Sequence, residues 1–141
     1  MSGGAFDYKQ SHIGMIADEI EHTIIEAGRE LPKGILERSY WYSSPFGDSG
    51  KTYPTYERKT MEIMKRAVYV LRMAHIYAQR VDWMLSGDDG EETLAERLEE
   101  ELRALKAKYP GGRFTFKERD VYYDEECECY MLKEKLKNKV E

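Results

Sequence analysis

Apolar residues recur every three or four positions in the first part of the chain, after a short polar lead. This spacing predicts an amphipathic helix from about Ser11 to Ala27. Ser11 suits the N-cap position of that helix, and Gly28 is a typical stop signal. The side opposite the apolar stripe is acidic. The stripe itself consists of Ile13, Ile16, Ala17, Ile20, Ile24 and Ala27.

A second helical pattern, the longest in the chain, extends from about Thr55 to Leu85. Its apolar stripe is too wide for a helix that is covered on one side only, so we expect it at the centre of the domain. A third amphipathic pattern ends near Lys108, before a Tyr-Pro-Gly-Gly stretch that is typical of helix termination. Asp88 or Asp89 is predicted to cap the start of this helix.

The periodicity changes in the C-terminal part. Residues 113–117 alternate as a strand does, and residues 120–124 could pair with them. Residues 125–141 favour a helix, although their early alternation also fits a third strand. Together the patterns predict a mainly α fold in a single domain, 1–141. Three to four helices would pack around one long central helix, with a small β element near residues 113–123.

Composition narrows the function classes. The 141 residues carry 22 basic and 27 acidic side chains, a net charge of −5, which argues against direct nucleic-acid binding by phosphate neutralisation. No apolar run approaches membrane-spanning length, and the N-terminus does not look like a signal peptide. Cys127 and Cys129 lie too close together to staple a fold, so we expect inert, reduced cysteines in a reducing cytoplasm.

Three stretches suggest enzymatic or metal chemistry, and each has a simpler interpretation. Gly50-Lys51-Thr52 ends like a phosphate-binding loop, but Pro45 stands where that loop needs its first glycine. Glu19 and His22 have the spacing of a di-metal bundle ligand pair, yet no second Glu-x-x-His exists. His75 and Asp82 are two turns apart on one helix, too far for direct contact. We therefore predict no catalytic residue, no metal site and no cofactor.

The remaining candidates indicate a binding surface. Acidic residues cluster between 118 and 128, where carboxylates could occupy a basic groove built for nucleic acid. Aromatic residues cluster in a Ser/Gly/Pro-rich loop at 40–56, which either packs on a helix or forms a binding surface. The predicted partner-binding residues are Glu118, Asp120, Asp124, Glu125, Glu126, Glu128, Tyr40, Trp41, Tyr42 and Phe46.

Two stretches carry a resemblance. The opening "MSGGAFDY" and the later "RVDWMLSGDDGEE" resemble a group of small uncharacterised proteins encoded by phages and prophages, which share the Met-Ser-Gly-Gly opening and a Trp-x-x-Ser-Gly-Asp segment after a long helix. The resemblance implies an accessory gene of a mobile element in a bacterial cytoplasm. Small acidic proteins in that setting include inhibitors of host defence, such as anti-CRISPR proteins.

Three function hypotheses follow from these patterns. The first is a non-enzymatic protein that binds and inhibits or modulates a host protein, such as a nucleic-acid-binding CRISPR nuclease, through its acidic and aromatic surface. The second is a ligand-sequestering protein or small enzyme with a pocket lined by the aromatic loop and His75. The third is a structural or assembly factor that acts as a homo-oligomer.

Overall fold

The computed structural model describes residues 4–32 and 52–133. This part of the chain is mainly helical and ends in a small antiparallel hairpin, which confirms the predicted fold class. Two short 3₁₀ turns, Pro110–Gly112 and Glu118–Asp120, lie between the last helix and the hairpin. The elements are helices α1 (Gln10–Glu26), α2 (Arg58–Leu85) and α3 (Glu91–Lys108), and strands β1 (Val121–Asp124) and β2 (Cys129–Leu132).

The chain divides into two compact units. The first unit contains Met1–Glu21 and Glu62–Thr115, and the second contains His22–Met61 and Phe116–Glu141. The first unit therefore holds most of α2 and all of α3, and the second holds the hairpin. Each unit is described by itself below.

Small and aromatic side chains from three helices form the core of the first unit. Ala17 of α1 and Val68 of α2 are both 0% exposed, and Leu105 and Tyr109 at the end of α3 are also buried. Gly111 and Gly112 then turn the chain with positive φ angles, which glycine adopts without steric cost. The turn lets the backbone N–H of Phe114 donate to the carbonyl of Lys65, 2.9 Å away.

The second unit buries the end of α1 together with the hairpin. Ile24 and Ile25, which are adjacent near the end of α1, are buried, as are Leu31 and Leu132. The two strands pair antiparallel in the register Val121↔Leu132 to Asp124↔Cys129. An antiparallel bridge between Glu30 and Thr52 joins the segment after α1 to the segment before α2.

The β element differs from the prediction in its partner. Residues 113–117 form no strand, because Phe114 is buried and its N–H is bonded to the α2 backbone. Residues 121–124 do form a strand, and they pair with Cys129–Leu132, which the favoured interpretation had placed in a helix. That interpretation is wrong over 129–132. The helical pattern further on, through Leu136 and Val140, lies outside the described residues.

The start of α3 also differs from the prediction. Gly90 occupies the N-cap position and makes no side-chain bond to the helix. Asp89 instead accepts a bond from the Thr93 hydroxyl at 2.8 Å, and ion pairs with Arg80 and Arg97. The hydrogen bond from Thr93 is the main cause that lowers the pKa of Asp89, and the two arginines lower it further. Asp89 thus stabilises the segment that connects α2 to α3, although it does not cap α3.

Candidate protein-binding hairpin

The turn between β1 and β2 brings most of the predicted acidic residues to one exposed place. Four of the five residues 124–128 are acidic, and Glu125 and Glu126 are exposed. Asp124 closes the turn, because its carboxylate accepts the backbone N–H of Glu126 at 2.9 Å. Glu128 has a φ of 56°, in the left-handed region that side chains rarely adopt. We call residues 121–132 the acidic hairpin.

Cys127 in this turn is joined by a disulfide to Cys129, the first residue of β2, with 5.3 Å between their Cα atoms. The expectation of two reduced cysteines is therefore wrong for the structure. The cysteines still cannot hold distant parts of the fold together, because a bond between residues two positions apart closes only one local ring. That ring lies in the same turn as the exposed acids.

The other two predicted acids lie just before the hairpin. Glu118 and Asp120 belong to the 3₁₀ turn that leads into β1. The Glu118 carboxylate accepts a bond from the Arg29 guanidinium, so part of its charge is neutralised. Glu118 is therefore a weaker candidate for partner binding than the exposed Glu125 and Glu126.

Three tyrosines form the aromatic part of the same surface. The rings of Tyr123 and Tyr130 lie 5.3 Å apart, and Tyr53 meets Tyr130 edge-on at 6.5 Å. Arg29 lies over the Tyr130 ring, whose hydroxyl donates to the carbonyl of Glu30 at 3.0 Å. We call Tyr53, Tyr123 and Tyr130 the tyrosine cluster. It fixes the hairpin to the segment around residue 30 and leaves Tyr123 38% exposed.

The charges of the turn act on this cluster. Partial desolvation raises the pKa of the Tyr123 hydroxyl, and the negative charges of Glu128, Glu125 and Asp124 raise it further. A phenolate is disfavoured where several carboxylates converge, and these carboxylates also give the hairpin a negative potential. A cation from a partner would be favoured at the same place.

Sequence reasoning found the acids of this surface and missed most of its aromatic residues. Tyr53 belonged to the aromatic loop. Tyr123 lay in a strand predicted to pair with residues 113–117, and Tyr130 lay in a segment for which a helix was favoured over a strand. The antiparallel register places those two residues directly opposite each other. The predicted aromatic residues of the loop, Tyr40, Trp41, Tyr42 and Phe46, lie outside the described residues.

The candidates for enzymatic chemistry have structural partners. His22 pairs with Glu26, one turn along α1, at 3.0 Å, and the hydrogen bond to Glu26 raises the pKa of His22. His75 lies against Gly14, where a side chain of even one carbon would come within 2.9 Å of its ring. Lys51 of the loop-like Gly-Lys-Thr lies outside the described residues. Within the described ranges no group of three or more His, Cys, Asp or Glu side chains could hold a metal ion.

Asp82 is buried, and it accepts bonds from the N-terminal arm. The backbone N–H of Phe6 and the side-chain amide of Gln10 each donate to the carboxylate at 3.0 Å. Gly4 passes so close that an added Cβ would lie 2.8 Å from the Asp82 oxygens. The N–H of Ala5 donates to the Ser86 hydroxyl at 2.9 Å. Residues 4–6 of the N-terminal arm thus contact residues 82–86 at the end of α2.

Comparison of the chain with protein families, with curated proteins and with solved structures finds no match. No helix of the described part is long and apolar enough to cross a membrane. Function must therefore be argued from the surface that these residues form.

Proposed function

We propose that this protein is a non-enzymatic binding protein of a phage or other mobile element, which binds a basic surface of a host protein and modulates that protein. The observation that carries the proposal is the exposed turn of the acidic hairpin, with four acids in five residues next to the tyrosine cluster. Carboxylates held on a defined hairpin can stand where nucleic-acid phosphates would bind.

The tyrosine cluster adds a hydrophobic component to this surface. Tyrosine is enriched at the energetic centres of protein interfaces, because it offers a large rigid area at a small entropy cost. Tyr123 is both exposed and adjacent to the acids, so one partner surface could contact both. A partner arginine is especially suited, since it pairs with carboxylates and stacks on aromatic rings.

The partner class follows from this chemistry. A host protein with a basic nucleic-acid channel presents the required density of arginine and lysine. A CRISPR nuclease is one such protein, because it holds its guide–target duplex in a positively charged channel. The resemblance of the two motif stretches to phage and prophage proteins supports the mobile-element setting.

The experiment compares three immobilised forms of the chain in capture from bacterial lysate: wild type, Glu125→Lys/Glu126→Lys, and Glu99→Lys/Glu100→Lys. The last pair lies on the exposed face of α3 and changes the net charge by the same amount. We leave Asp124 unchanged, because its carboxylate closes the turn. Each form is used with the cysteine pair oxidised and reduced, since cytoplasmic thiols would reduce it.

The proposal predicts basic proteins that wild type and the α3 variant retain and the hairpin variant loses. A purified CRISPR nuclease should be retained in the same pattern if it is the partner. Equal retention of the same proteins by all three forms would contradict the assignment of the binding surface to the hairpin.

A further inference from the structure

One face of α2 leaves large apolar side chains exposed over its whole length. Ile63 is 62% exposed, Val70 42%, Tyr77 46% and Leu85 57%. Alanines and a valine at intermediate exposure lie between them, so the face continues without interruption. We call this face the α2 stripe. Its residues are three or four positions apart, a spacing that keeps them on one side of the helix. They are Ile63, Ala67, Val70, Ala74, Tyr77, Val81 and Leu85.

The opposite side of α2 packs within the first unit. Val68 and Asp82 are buried, and Arg72 pairs with Asp18 and Glu21 of α1. These positions lie roughly 100–180° around the helix from the stripe at 100° per residue. The stripe is therefore a second apolar face that the packing of α1 and α3 does not explain.

A groove runs along the middle of the stripe. It has a volume of about 680 Å³ and is lined by Phe6 and by Val70, Met73, Ala74, Tyr77, Ala78 and Val81 of α2. Large and small side chains alternate here: Val70 and Tyr77 stand beside alanines at 67, 74 and 78. Small residues leave room for the larger side chains of a facing helix.

We infer that the α2 stripe is the interface of a homodimer in which two copies of α2 pack antiparallel. A pairing centred between Val70 and Ala74 sets Tyr77 against the partner's Ala67, and Val70 against the partner's Ala74. The stripe is thus complementary in shape to its own copy, as a two-fold interface requires. This inference goes beyond the proposed function and does not depend on the acidic hairpin.

Charge selects the antiparallel direction. Lys59 continues the stripe at its N-terminal end, and the exposed Asp88 follows its C-terminal end. A parallel pair would place Lys59 beside the partner's Lys59. The antiparallel pair places it opposite the partner's Leu85, about one turn before Asp88, towards which the long lysine side chain can extend. Antiparallel packing also brings opposite ends of the two helix dipoles together.

The available area fits a reversible dimer. Each of the four large side chains has an area of about 200 Å² when fully exposed, and about half of that is exposed here. Covering all four would therefore bury roughly 400 Å² per copy. The smaller residues and Phe6 bring the total for two copies towards the lower limit of about 1,200 Å² for stable interfaces. Weak, reversible association is typical of interfaces near this limit.

The test is sedimentation velocity of the whole chain between about 2 and 200 µM, a range that spans micromolar dissociation constants. Wild type should shift from monomer to dimer across this range. Tyr77→Glu should weaken the dimer at least about tenfold, some 1.4 kcal/mol, while its circular dichroism stays unchanged. Ile16→Glu is the matched control, because Ile16 is 48% exposed on α1 and its variant should dimerise as wild type does.

A spin label at the exposed Thr60, in a Cys127→Ser/Cys129→Ser chain that keeps Lys59, checks the direction. Antiparallel packing predicts a label separation of about 40 Å, from the rise of 1.5 Å per residue, and parallel packing about 10 Å. A wild type that stays monomeric at the highest concentration would overturn the inference. So would a dimer that Tyr77→Glu leaves intact, or a short label distance.

Discussion

Asp82 shows how a residue that resembles a catalytic group can serve the fold. Its carboxylate is buried, and it receives bonds from the N-terminal arm and from Gln10. Because Gly4 passes against the same oxygens and the N–H of Ala5 is bonded to Ser86, residues 4–6 and 82–86 form a single contact. We call this contact the clasp of the first unit.

Substitution of Asp82 tests this clasp. Asp82→Ala leaves the Phe6 N–H without its acceptor and should lower the free energy of unfolding by about 1–3 kcal/mol. Asp82→Asn should cost less, because one oxygen remains and the Gln10 amide can turn to accept from the new NH₂. The exposed Asp88→Ala serves as control and should change stability by less than about 0.5 kcal/mol. Equal losses for Asp82→Ala and Asp88→Ala in urea denaturation would contradict the clasp.

A second buried polar group ties α1 to the end of α3. The Tyr109 hydroxyl donates to the Glu21 carboxylate at 3.1 Å, and Arg72 pairs with the same carboxylate. Burial raises the pKa of Tyr109, and the negative charge of Glu21 raises it further. The pKa of Arg72 is also raised: its bonds to Glu21 and Asp18 outweigh the burial that lowers it.

The Tyr109 shift predicts how stability changes in alkali. A tyrosine whose folded pKa is raised contributes fully below its unfolded pKa of about 10, and the contribution is lost as pH rises above it. Wild type should therefore lose stability more steeply above pH 10 than Tyr109→Phe, which has no proton to release. Thermal unfolding of both proteins from about pH 8 to 11 measures the difference. Parallel curves would show that Tyr109 does not titrate against Glu21.

At the scale of elements, the pattern predicts the helices closely and the hairpin only in part. Residues 120–124 favour a strand, whereas a strand in the following segment is only the alternative to a helix. The predicted spans of about 11–27 and 55–85 agree with Gln10–Glu26 and Arg58–Leu85 to within a few residues, because periodicity is a local signal over several turns. The hairpin depends on a turn without glycine or asparagine, in which Glu128 takes the left-handed conformation. The local signal for that turn was therefore missing.

This turn makes a prediction of its own. Glu128→Gly relieves a backbone conformation that costs a side chain about 1–2 kcal/mol, partly offset by the entropy of glycine. We expect a net gain of a few tenths to about 1 kcal/mol in unfolding free energy. Glu126→Gly, at a position without positive φ, should not stabilise. A loss of stability in Glu128→Gly as large as in Glu126→Gly would contradict the account of the turn.

The candidate site was predictable in part for similar reasons. A run of acids is visible in any sequence, so Glu125 and Glu126 were found directly. Tyr123 and Tyr130 become neighbours only through strand pairing, which depends on the turn that lacked a signal. The α2 stripe was visible as excess width of an apolar pattern, but the pattern alone suggested a central helix and not an exposed second face.

At the scale of the whole molecule, the net charge is −5, and negative charge is concentrated in the hairpin. This charge distribution would influence the rate at which a partner associates. Negative charge at one place accelerates encounter with a basic surface, and dissolved salt screens that attraction beyond about 8 Å at physiological ionic strength. Individual exposed pairs contribute little, so reversal of two charges is the smallest informative change.

The most direct test is therefore stopped-flow association of the captured partner with wild type, Glu125→Lys/Glu126→Lys and Glu99→Lys/Glu100→Lys over a range of salt. The account predicts that the wild-type on-rate falls as salt rises. The hairpin variant should bind at least about tenfold more weakly, mainly through slower association, and the α3 variant should keep most of the affinity. Unchanged affinity in the folded hairpin variant, together with a salt-insensitive wild-type on-rate, would contradict the account.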